Sequence, residues 1–174
     1  MDPEFRFLTN GFDLQSIVSS CENCFKSIQH GRNIICHTAL PTSFYPGSHT
    51  SLVAYIINTR SKSDAIGHWV TLIRLKDTIL LCDGLHYVTS RPDVMRNIRI
   101  FSKINNCRLV IMNMRYQTAN SSKCGFLAIA LIAKAHVLPL KSFSALQKLF
   151  KKNSIASNER LLLNFAQKHF KFSL

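Results

Sequence analysis

The segment Gln117-Thr-Ala-Asn-Ser-Ser-Lys-Cys124-Gly-Phe-Leu-Ala-Ile-Ala130 changes from a polar loop to an apolar helix at a cysteine. Residues 118–123 are small or polar, which is typical of a loop. The residues from Phe126 onward are apolar on nearly every side, as in a buried helix. The Asn-Ser-Ser at 120–122 consists of good N-cap residues, so the helix is predicted to begin there.

Cys124 is predicted to lie in the first turn of this helix. The free backbone N–H groups and the positive end of the helix dipole favour a thiolate at that position. Gly125 leaves room for a substrate backbone beside the sulfur. A free cysteine is also commonly a small buried hydrophobic residue. A catalytic role for Cys124 therefore depends on the residues that accompany it.

A thiol nucleophile needs a general base, a group that orients the base, and donors for the developing oxyanion. His68 stands at the start of a predicted strand, and Asp83 ends the neighbouring one. Gln117 lies seven residues before Cys124, and its amide is suited to reach an oxyanion. Each residue also has an ordinary explanation, as an edge histidine, a turn former or loop polarity. The ordered set of His, Asp, Gln and Cys is much rarer than any one member.

The segments around this stretch predict an α+β domain with mostly antiparallel strands. Residues 26–33 are polar and contain Gly31, so they are expected to form a turn, and Lys76-Asp77 is expected to form a tight turn. Strands are predicted over 33–37, 51–58, 67–75, 78–83 and 107–113, and helices over 11–25, 93–102, from 120–122 to 136, 142–152 and 157–172.

The length of 174 residues fits one domain with a real core. Residues 1–5, Met-Asp-Pro-Glu-Phe, are typical of a cloning remnant, which leaves residues 6–174 as the expected single domain. No apolar run is long enough to span a membrane, so no membrane partner is expected.

The chain is strongly basic, with 22 Lys and Arg against 9 Asp and Glu and a net charge of +13. Such an excess favours a polyanionic partner, with nucleic acid first, although a solvated basic surface is the ordinary alternative. From Lys141 onward there are seven basic residues and one acid, Glu159, which is expected in the first turn of the last helix.

The even count of six cysteines permits disulfides, but no secretory signal supports them. Cys21 and Cys24 form a C-x-x-C motif that Cys36 and His37 would extend to four zinc ligands, but the spacing is not that of a standard finger. The two cysteines are expected instead to share one face of the first helix. No metal and no small-molecule cofactor are expected.

The residues that carry this chemistry resemble the adenovirus-type cysteine endopeptidases, or adenains, which are relatives of the ubiquitin-like-protein-specific proteases. The order His68-Trp69, Asp83, Gln117 and Cys124-Gly125 is similar to the family order, and the interval of seven from Gln to Cys is the same. The strand from Val53 to Arg60 also resembles the family's strand before His-Trp. The resemblance covers residues 45 to 136.

The resemblance implies a papain-like fold, in which a mostly antiparallel central sheet and flanking helices surround a buried helix that carries the nucleophile. It implies that His68 is the base, Asp83 its orienting partner and Cys124 the nucleophile. Gln117 and the Cys124 N–H would then form the oxyanion hole, with Trp69 and Gly125 as neighbours of the substrate site.

The same resemblance implies cleavage of viral capsid or core precursor proteins during virion maturation, in the virion and the host nucleus. It further implies activation by DNA and by a short peptide that forms a disulfide upstream of the catalytic Gln, for which Cys107 is the candidate. The first alternative is an intracellular isopeptidase that removes a ubiquitin-like modifier. The second is a non-catalytic, basic nucleic-acid-binding protein on the same fold.

Overall fold

The computed structural model describes residues 24–30, 33–39, 52–59, 67–137 and 143–170. The strands are β1 (Cys24–His30), β2 (Asn33–Ala39), β3 (Leu52–Asn58), β4 (Trp69–Leu75), β5 (Thr78–Cys82) and β6 (Arg108–Ile111). The helices are α1 (Pro92–Ile104), α2 (Cys124–Val137), α3 (Phe143–Gln147) and α4 (Ile155–Phe170), and a short 3-10 helix covers Val88–Ser90. The protein is therefore an α+β fold, as the sequence predicts.

The strands form one sheet in the order β1-β2-β3-β4-β5-β6. Neighbours from β1 to β5 pair antiparallel, whereas β6 pairs parallel to β5 after the chain has crossed over through α1. The predicted strands correspond to β2 to β6. The predicted turn at Lys76-Asp77 is also confirmed, and Lys76 there has a φ of 56°.

The prediction for the segment before β2 is wrong where the structure describes it. Cys24 and Phe25, predicted as the end of a helix, begin β1, and residues 26–30 of the predicted turn continue that strand. The physical reason is pairing: β1 is joined to β2 along its whole length, from Cys24 opposite Ala39 to His30 opposite Asn33. Helical spacing within one segment cannot reveal such a partner. The rest of the predicted helix, residues 11–23, lies outside the described residues.

The sheet has a hydrophobic core on each face, because side chains of a strand alternate between faces. One core joins Trp69, Ile73 and Leu80 to the apolar residues of α2 and to parts of α3 and α4. The other joins Val70, Leu72 and Ile79 to the buried side of α1. A helix therefore covers each face, and α2 lies against the face that carries Trp69.

The helices are largely those predicted, with different ends. In α1 the helical spacing predicts Val94, Ile98 and Phe101 on one side and Arg96, Arg99 and Lys103 on the other. This is confirmed, because the first three are buried and the other three are exposed. Helix α3 is shorter than the predicted 142–152, and α4 begins at Ile155 rather than at residue 157. No helix in the described part of the chain is both long and apolar enough to cross a membrane.

Candidate active site

His68 and Asp83 are brought together by the pairing of β4 with β5. His68 immediately precedes β4 and Asp83 immediately follows β5. Since Thr71 lies opposite Cys82 in this antiparallel pair, the start of β4 and the end of β5 lie at the same end of the sheet. The His68 Nε2 lies 2.8 Å from Asp83 Oδ1, and both side chains are buried.

Hydrogen bonds fix the Asp83 carboxylate on both oxygens. Oδ1 accepts the Leu85 N–H at 3.0 Å in addition to its contact with His68, and Oδ2 accepts the Val88 N–H at 2.7 Å. The turn after β5 and the short 3-10 helix supply these two donors. A carboxylate held in this way presents one fixed oxygen to the imidazole ring.

Thr59 fixes the backbone of His68 and was not identified from the sequence. The His68 N–H donates to Thr59 Oγ1 at 3.0 Å, and the Thr59 N–H donates to the His68 carbonyl at 2.8 Å. Asn58 lies opposite Trp69 in the β3–β4 pair, so the residues that follow and precede them are neighbours. Correct alignment of these two predicted strands would have identified Thr59 as the partner of His68.

Cys124 is the first residue of α2, which confirms its predicted place in the first turn. The helix does not begin at residues 120–122. Instead the Lys123 carbonyl accepts the N–H of Leu127 at 3.0 Å, while Ser121 Oγ accepts the Lys123 N–H at 3.3 Å. Ser121 therefore satisfies a donor of the residue before the helix, rather than capping the helix itself.

The first turn of α2 lies against β4, and this brings the thiol to the imidazole. The Thr71 hydroxyl donates to the Ala128 carbonyl at 3.4 Å, which joins the strand after His68 to the turn after Cys124. The Cys124 thiol lies near enough to the His68 imidazole to contribute to the raised pKa of His68. Because Nε2 faces Asp83, Nδ1 is the ring nitrogen left for the sulfur.

Burial and charge act in opposite directions on the pair. Burial alone lowers the pKa of His68, but hydrogen bonds and charge interactions with Asp83 and Cys124 outweigh it and raise the pKa to about 9. Burial alone raises the pKa of Asp83, but the bonds from His68, Val88 and Leu85 lower it below its ordinary value. Both directions favour an imidazolium beside a carboxylate at neutral pH.

The raised pKa of His68 makes the fold less stable in alkaline solution. The imidazolium stabilises the folded state fully below about pH 6.5, and this contribution is lost as the pH rises through about 9. The expected loss is about 3 kcal/mol of unfolding free energy. Urea unfolding of the wild type and of His68→Gln at pH 6 and pH 9.5 measures it. Between these two pH values the wild type should lose more unfolding free energy than the variant. Equal losses would contradict the raised pKa of His68.

Gln117 lies beside Asp83 through the intervening Gly84. The Gln117 backbone N–H donates to the Gly84 carbonyl at 3.3 Å, and its side-chain Nε2 donates to the Ser121 carbonyl at 2.9 Å. The Gln117 side chain is buried. A Cβ atom at residue 84 would lie 2.8 Å from the Gln117 Cβ, so only glycine allows this approach. Gly84 thus connects the segment of Asp83 with that of Gln117.

The other predicted site residues lie in different surroundings. Trp69 is buried in the core against which Cys124 packs, and Gly125 is buried within α2. Cys107 is a free, half-buried thiol just before β6. Since β6 runs parallel to β5 from Thr78 opposite Arg108, Cys107 lies at the opposite end of β5 from Asp83. The structure does not bring Cys107 into the site.

Tyr87 is a further neighbour of His68 that the sequence analysis missed. Its ring meets the imidazole edge to face at a centroid distance of 6.0 Å, and about 40% of the residue is exposed. The Arg91 Nη1 donates to the Tyr87 hydroxyl at 2.7 Å. The ring therefore forms an exposed apolar surface beside the imidazole. Tyr87 could not be identified from the sequence, because it lies in a loop where the residues show no helical or strand periodicity.

The described residues contain no group of three or more His, Cys, Asp and Glu side chains arranged to hold a metal ion. Cys21 lies outside those residues. The chemical groups of the candidate site are the thiol of Cys124, the imidazole of His68, the carboxylate of Asp83 and the primary amide of Gln117. These are the groups of nucleophilic acyl transfer.

A scan against protein-family models matched no family, and searches of curated proteins and of solved structures found no match.

Proposed function

We propose that this chain is a cysteine endopeptidase with a papain-like arrangement, related to the adenain type that its motifs resemble. One observation carries the proposal: the imidazole of His68 lies between the Asp83 carboxylate and the thiol at the start of α2. A base held by an acid on one side and facing a nucleophile on the other is the arrangement of a catalytic triad.

In the reactive form the proton of the Cys124 thiol is held by His68, so that a thiolate faces an imidazolium that Asp83 stabilises. The sulfur then attacks the carbonyl carbon of a peptide bond, and a C–S bond forms as the carbonyl π electrons move to oxygen. His68 donates its proton to the leaving amine when the C–N bond breaks. Water, deprotonated by His68, then attacks the thioester and releases the acid and the free thiol. Asp83 stabilises the imidazolium in both halves of the reaction.

The tetrahedral oxyanion needs donors in place before it forms. The backbone N–H of Cys124 is one of the first four of α2, so it has no acceptor within the helix. Gln117 has a primary amide with two N–H bonds, one of which is engaged by the Ser121 carbonyl. In this proposal the second N–H of Gln117 and the Cys124 N–H hold the oxyanion.

The proposed substrate is a protein, and capsid or core precursors are the class that the motif resemblance favours. The exposed Arg96, Arg99 and Lys103 on the outer face of α1 support a polyanionic partner such as DNA. The free thiol of Cys107 supports linkage to an activating peptide at a position separate from the catalytic groups. With such partners the protein would act in the virion or the nucleus of an infected cell.

Labelling with peptide electrophiles tests the proposal directly. A mixture of peptidyl vinyl sulfones should modify Cys124 much faster than Cys82 or Cys107, because Cys124 is the one of these three thiols that lies beside a histidine. His68→Ala should slow the labelling at least about 100-fold. The control is His30→Ala, a histidine at the end of the outermost strand β1, which should label at the wild-type rate.

Two results would overturn the proposal or redirect it. Equal labelling of Cys124 and Cys107, unaffected by His68→Ala, would exclude a catalytic thiol and favour the non-catalytic nucleic-acid-binding alternative. Faster labelling by electrophiles on a Gly-Gly modifier than by internal peptide sequences would favour the isopeptidase.

A further inference from the structure

Helix α4 carries two neighbouring polar side chains that are buried rather than solvated. Asn158 is 2% exposed and Glu159 is 8% exposed. The sequence predicts Glu159 in the first turn of the last helix. That prediction is wrong, because α4 begins at Ile155 and the Ser154 carbonyl accepts the Asn158 N–H at 3.0 Å. Their side chains point to the connection between β6 and α2.

These side chains bond the backbone on both sides of Gln117. A Glu159 oxygen, Oε2, accepts the Thr118 N–H at 2.6 Å, and the Asn158 Nδ2 donates to the Arg115 carbonyl at 2.9 Å. Between these two contacts, the N–H groups of Tyr116 and Gln117 both donate to the Gly84 carbonyl at 3.3 Å. The segment 115–118 has no regular secondary structure, so these bonds fix its backbone.

Asn158 and Glu159 differ in the other hydrogen bonds that their side chains make. Asn158 also accepts the Lys151 N–H at 2.8 Å and donates to the Lys151 carbonyl at 2.9 Å, so it organises the turn before α4 as well. Glu159 bonds directly to the residue that follows Gln117. A short bond to an ionised carboxylate is stronger than one between neutral groups. Glu159 is therefore the better single probe of this attachment.

We propose that Glu159 is a positioning residue that sets the place of the Gln117 amide through the backbone of Thr118. The inference rests on the proposed function, since it concerns the donor for the oxyanion. A donor must lie near the position that the oxyanion will occupy, and a misplacement of about 1 Å can cost on the order of 100-fold in rate. A residue that lies 41 positions beyond Thr118 in the sequence thus holds the Gln117 amide in place.

The test compares Glu159→Ala, Glu159→Gln and the neighbouring exposed Arg160→Ala on a cleavable peptide. Glu159→Ala should lower kcat roughly 10- to 100-fold with KM within about twofold of the wild type, because the lost interaction acts on the oxyanion. Glu159→Gln keeps an acceptor for the Thr118 N–H and should recover most of kcat. Arg160→Ala should match the wild type.

Two further measurements separate positioning from general damage to the fold. Hydrogen exchange at the amides of residues 116–118 should accelerate in Glu159→Ala, while amides of β4 and β5 stay protected. Alkylation of Cys124 by iodoacetamide involves no oxyanion and should keep the wild-type rate. If exchange accelerates throughout and alkylation slows in parallel with kcat, the role is only structural and the inference fails.

The remaining outcomes distinguish this inference from the proposed function. If the wild type and Arg160→Ala cleave the peptide and Glu159→Ala cleaves equally well, the inference fails and the endopeptidase proposal stands. If the wild type cleaves no peptide and its Cys124 has no special reactivity, the proposed function fails and this inference fails with it.

Discussion

Replacing Cys124 with alanine is expected to abolish peptide cleavage. Without the sulfur no acyl-enzyme can form, and the rate should fall on the order of 10⁵- to 10⁶-fold, as for removal of a nucleophile from a triad. His68→Ala should produce a loss of similar size, because the two residues act as one unit. The double variant should be scarcely worse than either single variant.

Kinetics on one peptide with the four proteins measure this prediction. Cys124→Ser keeps the size of the side chain but replaces the thiol with a much weaker nucleophile, so it should also be nearly inactive. Near-ultraviolet circular dichroism should show that the variants keep the packing around Trp69. His30→Ala again serves as the control for histidine removal. Undiminished cleavage by Cys124→Ala would falsify the mechanism.

Gly84→Ala is expected to destabilise the fold and to inactivate the site together. The added Cβ would lie 2.8 Å from the Gln117 Cβ and 2.9 Å from a carbon of the Tyr116 ring. Tyr116 is itself buried and stacked on Phe150 at a centroid distance of 5.4 Å, so it has little room to withdraw. Overpacking of this kind costs roughly 1–3 kcal/mol.

The added Cβ should also displace Gln117. This displacement should lower catalytic activity, because Gly84 joins Asp83 to the Gln117 segment. Urea unfolding should show the loss of stability, and kcat should fall even at temperatures where the variant is fully folded. Gly84→Ser, with a larger side chain, should be at least as unstable as Gly84→Ala. Asn113→Ala, an exposed change in the same connection, should behave as the wild type. A Gly84→Ala protein of wild-type stability and activity would show that the contact is not tight.

The central strands could be predicted because their own residues carry the signal. Segments such as Ser51–Asn58 are apolar and β-branched, and both faces of β3 to β5 are buried. The strand β1 could not be predicted in this way, since its residues have no strand pattern without their partners in β2. The parallel pairing of β6 depends on the crossover through α1, which no local pattern encodes.

The residues of the candidate site that could be predicted are likewise those whose own type and spacing carry the signal. His68, Asp83, Gln117 and Cys124 were found because their residue types and spacing indicate a chemistry. Thr59 and Glu159 were not found, because they act through backbone atoms of residues elsewhere in the chain. The bond from Glu159 spans 41 positions, and a carboxylate near a helix start has an ordinary local explanation.

The attachment of Gln117 to α4 has a consequence for the order in which the protein becomes competent. In the proposed endopeptidase, the base His68, its acid partner Asp83 and the nucleophile Cys124 are all present during synthesis once residue 124 has been made. The hydrogen bonds from α4 that fix the backbone around Gln117 form only after residue 159 has been made and α4 has folded onto the segment 115–118. A growing or partly folded chain would therefore have its nucleophile before its full oxyanion hole. The last helix would then delay full cleavage activity until the rest of the fold is in place.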